Sequence, residues 1–189
     1  MTKLTRDTWL DIGLKALAET GPDGLKLTAL CRRARVTRGS FYHYFKDQAA
    51  YGQAVLAHWS QTCTRDVIDE VERTAQTAHE RRLMLSRVTA RLDARVERGI
   101  RRWAALDEAA REALEHADAL RIHYVAQLNA REFGLDEGAA RDLARIEYAL
   151  YLGFPQADPE ADEAETLRVS GLFDRMMRAW ALNPDPDRP

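Results

Sequence analysis

Apolar residues return along this chain at helical intervals almost from end to end. Trp9, Gly13 and Leu17 share one side of a segment that Thr5 can cap and Gly21-Pro22 can end, which predicts a first helix to about Glu19. Leu27, Leu30, Cys31 and Ala34 follow at i, i+3, i+4 and i+7 and predict a short second helix. Val36-Thr37 interrupts it, and Thr37 suits the cap of a third. After Asp47, Tyr51, Val55, Trp59, Cys63, Val67 and Val71 recur every fourth residue, the stripe of a long fourth helix. A second stripe, Leu85, Val88, Leu92, Val96 and Ile100, predicts one helix ending between Gly99 and Trp103. The next starts at Asp107, takes in Leu114, Ala117, Tyr124 and Leu128, and stops at Gly134. Two more are expected: about Asp136 to Leu152, closed by Gly153-Phe154-Pro155, and about Glu160 to Leu182, closed by Asn183-Pro184. Proline is absent between Pro22 and Pro155, and no stretch alternates with period two. The prediction is an all-α fold of about nine helices with a disordered tail at 184–189.

Charge divides this pattern. Residues 1–47 carry nine cations against five carboxylates, net +4, and the remainder is net −6. All four lysines lie within the first 46 residues. A basic head on an acidic body points to a polyanionic partner at one end. Other classes recede. No run of about 18 apolar residues is present, so no membrane span is expected. Asp7 and Asp11 break the N-terminus, which is not expected to act as a signal peptide. Cys31 and Cys63 have no metal-ligand or redox spacing, and His58 with Cys63 gives too few ligands. Reduced thiols in the cytoplasm, without metal or cofactor, are the expectation. No Ser/His/Asp set, HExxH or Walker loop occurs, and the nearest cluster, Glu115-His116-Ala117-Asp118, falls on a helix expected to carry surface charge. No catalytic residue is assigned, and enzyme activity is not expected.

The stretch RRARVTRGSFYHYFKD, residues 32–47, concentrates charge and rings together. On a helix over 38–46, Phe41, Tyr44 and Phe45 fall on one side. Gly39, Tyr42, His43 and Lys46 fall on the other, flanked by Arg38 and Ser40. The rings would anchor a very short helix while the polar face meets DNA. Gly39 lets the backbone come close, Arg38 can reach a guanine edge or a phosphate, and Ser40 a base or phosphate. Tyr42, His43 and Lys46 are long enough to bond phosphates, and Thr37 and Thr28 join them at the starts of their helices. A helix over 28–34 joined by a tight turn supplies helix-turn-helix geometry.

The run Ala34-x-Val36-Thr37-Arg38-Gly39-Ser40-Phe41-Tyr42-His43-Tyr44-Phe45, with the upstream helix ending at Gly21, resembles the DNA-binding segment of the tetracycline-repressor (TetR) family of bacterial regulators. The likeness is specific over residues 6–56 and looser beyond. It implies a homodimer that offers two recognition helices to a palindromic double-stranded DNA operator, and a small-molecule effector that relieves repression. It also implies a helix-turn-helix domain at 1–47 and an effector-binding and dimerisation domain at 48–183. Two positions depart from the family pattern. Arg35 stands where a turn glycine is usual, at a cost of about 1–2 kcal/mol if φ is positive there. Gln48 stands where a phosphate-binding lysine is usual, a role Lys46 is expected to share.

The last two helices are apolar on more than one side, the mark of burial on two sides. Leu143, Ile146 and Leu150, with Leu167, Phe173, Met177 and Trp180, are the expected subunit interface. A mostly apolar effector is expected between residues 51–63, 85–103, 116–124 and 148–152. Trp59, Cys63, Trp103 and His116 are candidate lining residues there, with Leu85, Val88 and Leu92 from the second stripe, and Leu120, Tyr124 and Tyr148. The alternative is a helix-turn-helix regulator controlled by a protein partner with no metabolite.

Overall fold

The computed structural model describes residues 4–182 and contains no strand among them. The expected stop at Asn183-Pro184 and the tail at 184–189 lie outside the described residues. The helices are α1 (Arg6–Thr20), α2 (Leu27–Ala34), α3 (Arg38–Tyr42), α4 (Gln48–Ser60), α5 (Asp66–Thr74), α6 (Ala78–Ala90), α7 (Ala94–Ala104), α8 (Glu108–Phe133), α9 (Glu137–Ala157) and α10 (Glu163–Leu182). A 3₁₀ turn, Gly21–Leu25, leads into α2, and a π-helical turn, Gln61–Arg65, separates α4 from α5.

Side-chain caps set most of these starts. The Thr8 N–H donates to the Thr5 hydroxyl at 3.1 Å and the Ala50 N–H to the Asp47 carboxylate at 2.7 Å. Asp107, Asp136 and Asp162 accept in the same way at 2.9, 3.0 and 2.8 Å. Thr77 and Glu80 form a reciprocal capping box at α6. Gly21, at φ 69, closes α1 with its N–H donating to the Leu17 carbonyl.

Four expectations change. The stripe from Tyr51 to Val71 is carried by two helices, α4 and α5, with the π-helical turn at Gln61–Arg65 between them. The stripe from Leu85 to Ile100 is two helices, because Asp93 is extended and accepts from the Arg95 N–H at 3.0 Å, starting α7 afresh. Helix α9 does not stop at Gly153-Phe154-Pro155 but carries Pro155 inside it to Ala157. So near the end, a missing N–H forfeits only one helical bond. The third helix has five residues instead of nine, since Asp47 must be fully extended (φ −157°, ψ 179°) to cap α4.

The chain sorts into two compact units. The first holds residues up to Arg65 together with Asp93–Ala117. Its core is aromatic and aliphatic: Trp9, Leu17, Leu30, Phe41, Tyr51 and Trp59 are among its fully buried side chains. Each such side chain contributes roughly 1.5–3 kcal/mol of burial. Helices α1 and α7 touch backbone to side at Gly99, where a Cβ would lie 2.6 Å from the Leu17 carbonyl oxygen.

The second unit holds Asp66–Leu92 and residues from Asp118 onward. Its apolar core is small, formed by Val71, Tyr124 and Leu128 against Ile68, Met84 and Leu85. Beside it lies a buried ionic cluster drawn from four helices. Arg82 is 7% exposed and donates to Glu132 at 3.2 Å, to Asp174 at 2.8 Å and to Glu147. Arg178 donates to Asp174 at 3.0 Å and also to Glu132. Asn129, fully buried, donates to Glu147 at 2.9 Å, and His79 lies 3.2 Å from Glu132. Burial works to lower the pKa of the Arg82 guanidinium, and the carboxylates of Glu147 and Glu132 more than offset it, so the net shift is upward.

Candidate nucleic-acid interface

Helix α3 is held from behind by rings. Phe41 is fully buried and Phe45 nearly so. Trp9 meets Phe41 edge-on, with centroids 5.6 Å apart at 87°, and Tyr51 packs on Phe41 at 5.2 Å and on Phe45 at 4.9 Å. The Tyr51 hydroxyl donates to the Trp9 carbonyl at 2.8 Å, and burial pushes its phenol far above the usual range. Tyr44 is half-buried and donates to the Leu4 carbonyl. The Tyr44 and Phe45 N–H groups both donate to the Phe41 carbonyl, at 3.0 and 3.1 Å, so the chain turns tightly after α3.

The opposite face is open. Thr37, Arg38, Gly39, His43 and Lys46 are exposed, Tyr42 is 55% exposed, and Ser40 is half-buried. Thr37 starts α3 in an extended conformation without a side-chain capping bond, which leaves its hydroxyl available. A Cβ at Gly39 would meet nothing nearer than the Thr37 hydroxyl oxygen at 3.7 Å, so this face is unobstructed. Thr28 is exposed on the first turn of α2. All eight expected contact residues therefore belong to the first unit, with Lys46 and His43 just past the end of α3.

The two departures from the family pattern have structural answers. Arg35 sits in left-handed backbone, φ 56° and ψ 41°. Left-handed backbone costs a non-glycine residue about 1–2 kcal/mol in general. Gln48 is exposed but engaged within the chain: its amide donates to the Leu25 carbonyl at 2.5 Å, bracing the start of α4 against the segment before α2.

The expected effector residues are spread over both units. Trp59 is fully buried in the first core, Cys63 and Trp103 are half-buried against that core, and His116 is exposed. In the second unit Val88 and Tyr124 are buried, and Leu85, Leu92 and Leu120 are half-buried. Tyr124 donates to Glu72 at 2.8 Å, and burial, the largest cause, raises its phenol well above the usual range. The Tyr148 hydroxyl donates to Asp118 at 2.6 Å and accepts from Arg121 at 3.1 Å. A surface depression of about 520 Å³ lies elsewhere, at the α5–α6 turn, lined by Ala75, Gln76, Leu83, Met84 and Arg87 among others.

Of the expected interface residues, Ile146 and Trp180 are exposed at 57% and 40%, Leu150, Leu167 and Phe173 are half-buried, and Leu143 and Met177 are buried within the unit. Leu172 and Met176 are also exposed and were not in the expected set. Leu172, Met176 and Trp180 follow one another at intervals of four, which was the available signal. Among the described residues no helix is long and apolar enough to cross a membrane, and no group of three or more His, Cys, Asp or Glu side chains is placed to hold a metal.

Comparison with known proteins adds to this geometry. The profile described as "Bacterial regulatory proteins, tetR family" matches residues 10–50. The chain is similar to the HTH-type transcriptional repressor NemR of Escherichia coli (strain K12), 40% identical over 52 residues, 28% of this chain and 26% of NemR. It is also similar to the transcriptional regulator AcuR of Cereibacter sphaeroides, 36% identical over 53 residues, 28% of this chain and 24% of AcuR. These matches thus span about a quarter of each curated relative. The fold is shared more widely. The crystal structure of reduced E. coli NemR superposes with a TM-score of 0.75 over 91% of this chain and 96% of that one, at 22% identity. FadR from Bacillus subtilis in complex with stearoyl-CoA superposes at 0.65 over 92% and 97%, at 14% identity. The helix-turn-helix segment, residues 10–50, is thus similar to the tetR family of bacterial regulatory proteins, and the fold is shared over nine-tenths of the chain.

Proposed function

We propose that this chain is a sequence-specific DNA-binding transcriptional regulator, not an enzyme, acting in the cytoplasm as a homodimer on a palindromic operator. The observation that carries this is the outer face of α3 and its flanks: Arg38, Gly39 and Tyr42 on the helix, and Thr37, His43 and Lys46 beside it, stand exposed, while Phe41 and Phe45 lock the other side. A helix held this way can enter the major groove without losing its own support. Arg38 reads a base edge or a phosphate, and Tyr42, His43, Lys46, Thr37 and Thr28 fix register on the backbone. On this reading residues 1–47 form the DNA-binding domain and 48–183 the regulatory one.

Two-fold symmetry supplies the second recognition helix, spaced for half-sites about 34–36 Å apart. Ile146 on α9 and Leu172, Met176 and Trp180 on α10 leave apolar surface open on one chain, and a second copy covers it. Repression relieved by a small, largely apolar effector is the proposed control. The residues expected to line its site include Leu120, Tyr124 and Tyr148 of the second unit, and a long-chain acyl thioester, the class named for the FadR complex, is one candidate. Binding would favour the state in which two α3 helices cannot reach successive grooves.

The test is selection of duplexes from a random library by the full-length chain, followed by salt titration on the selected site. A palindromic motif bound by a dimer is the expected result. Arg38→Ala should lose ~1–3 kcal/mol of binding on that site and accept more sequences, if Arg38 reads a base. Failure to enrich any motif, or an Arg38→Ala variant that binds and discriminates like wild type, would remove the assignment of α3.

A further inference from the structure

Arg35 is the one non-glycine residue with positive φ among the described residues. Glycine would adopt the same conformation without steric conflict. What arginine adds over glycine at this position is a long cationic side chain, and among the described residues that side chain is exposed and makes no hydrogen bond, ion pair or ring contact. Its neighbours divide into two groups. Arg33 is held by Glu19 at 2.5 and 2.6 Å and Lys26 by Asp23 at 2.7 Å. Arg32, Arg35, Arg38 and Lys46 have no carboxylate partner among the described residues. This unpaired group brackets the turn and α3, and Arg35 precedes Thr37 and Arg38 by only two and three residues. The C-terminal end of the α2 dipole also favours a cation, but Arg32 and Arg33 already occupy that last turn.

We infer that Arg35 is a positioning residue for DNA: its guanidinium grips a backbone phosphate beside the groove that α3 enters, and sets the approach of the helix without reading sequence. The inference rests on the DNA-binding function proposed above. Backbone strain at a functional position is retained where the strained residue does something the relaxed one cannot.

Full-length wild type, Arg35→Gly, Arg35→Ala and Arg35→Lys are titrated with a fluorescein-labelled random-sequence duplex across a salt series, and each is melted without DNA. Arg35→Gly and Arg35→Ala are expected to bind more weakly, with the log–log salt slope shallower by about one unit. Arg35→Lys keeps the wild-type slope. Arg35→Gly, relieved of strain, melts roughly 2–4 °C above wild type, so its weaker binding is not a folding defect. Equal slopes for wild type, Arg35→Gly and Arg35→Ala would overturn the contact and leave Arg35 as a helix-end charge, visible in melting alone. Absence of salt-dependent duplex binding by wild type itself would instead remove the DNA-binding function, and this contact with it.

Discussion

The two units of the molecule are built on opposite principles. The first closes around rings: Trp9, Phe41, Phe45, Tyr51 and Trp59 are buried together in its core. The second has only a small apolar core and closes around charge, with Arg82 and Arg178 set among Glu132, Glu147 and Asp174. A ring core that loses or gains an atom responds to the change in volume and recovers part of the cost by relaxing around it. A buried charge whose partner is removed has no such relief, because the remaining groups stay desolvated. The first unit should therefore be sensitive to volume and the second to pairing.

The largest effect is expected at Arg82. Arg82→Ala leaves three carboxylates without their shared cation and should lose ~3–5 kcal/mol in urea unfolding. A loss near that of an exposed ion pair, below ~1 kcal/mol, would erase the contrast between the units. Next comes added volume in the first unit. Gly99→Ala places a methyl 2.6 Å from the Leu17 carbonyl oxygen and 2.8 Å from its carbon, so α1 and α7 must separate. A destabilisation of ~1–3 kcal/mol is expected by the same measurement; a neutral substitution would show that the contact yields.

The smallest effect concerns exposed charge. The backbone N–H groups of Thr77 and Gln76 donate to the Glu80 carboxylate, both at 3.0 Å, and hold it below its ordinary value of 4.5. A carboxylate lowered by folding adds stability that is fully present above that ordinary value and is lost as pH falls through the folded one. The melting-temperature gap between wild type and Glu80→Ala should be complete at neutral pH and close in acid. A gap that persists unchanged in acid would mean the carboxylate is not what the cap uses.

The contrast also explains what the sequence could disclose. The ring core announced itself, since Trp9 with Leu17, and Tyr51 with Val55 and Trp59, repeat on one face within a single helix. The outer face of α3 was equally open, because five residues are enough to sort Phe41 from Tyr42 and Gly39. The ionic cluster gave no local sign: Arg82 meets partners 50, 65 and 92 residues away, and no periodicity reports that. The break at Asp93 was masked for another reason. Leu85, Val88, Leu92, Val96 and Ile100 keep helical spacing straight across it, so the capping aspartate was outvoted by the stripe. Arg35 was legible only as a misfit, a bulky residue where a turn calls for none.

Gln48 carries a consequence for anyone who would redesign the chain. Installing lysine at 48 to strengthen the proposed contact with DNA would also cut the amide tether to Leu25, and so loosen the floor on which α2 and α4 stand. Grip and rigidity compete for a single side chain at that corner. A tighter binder would have to seek its extra cation on a residue with no second duty.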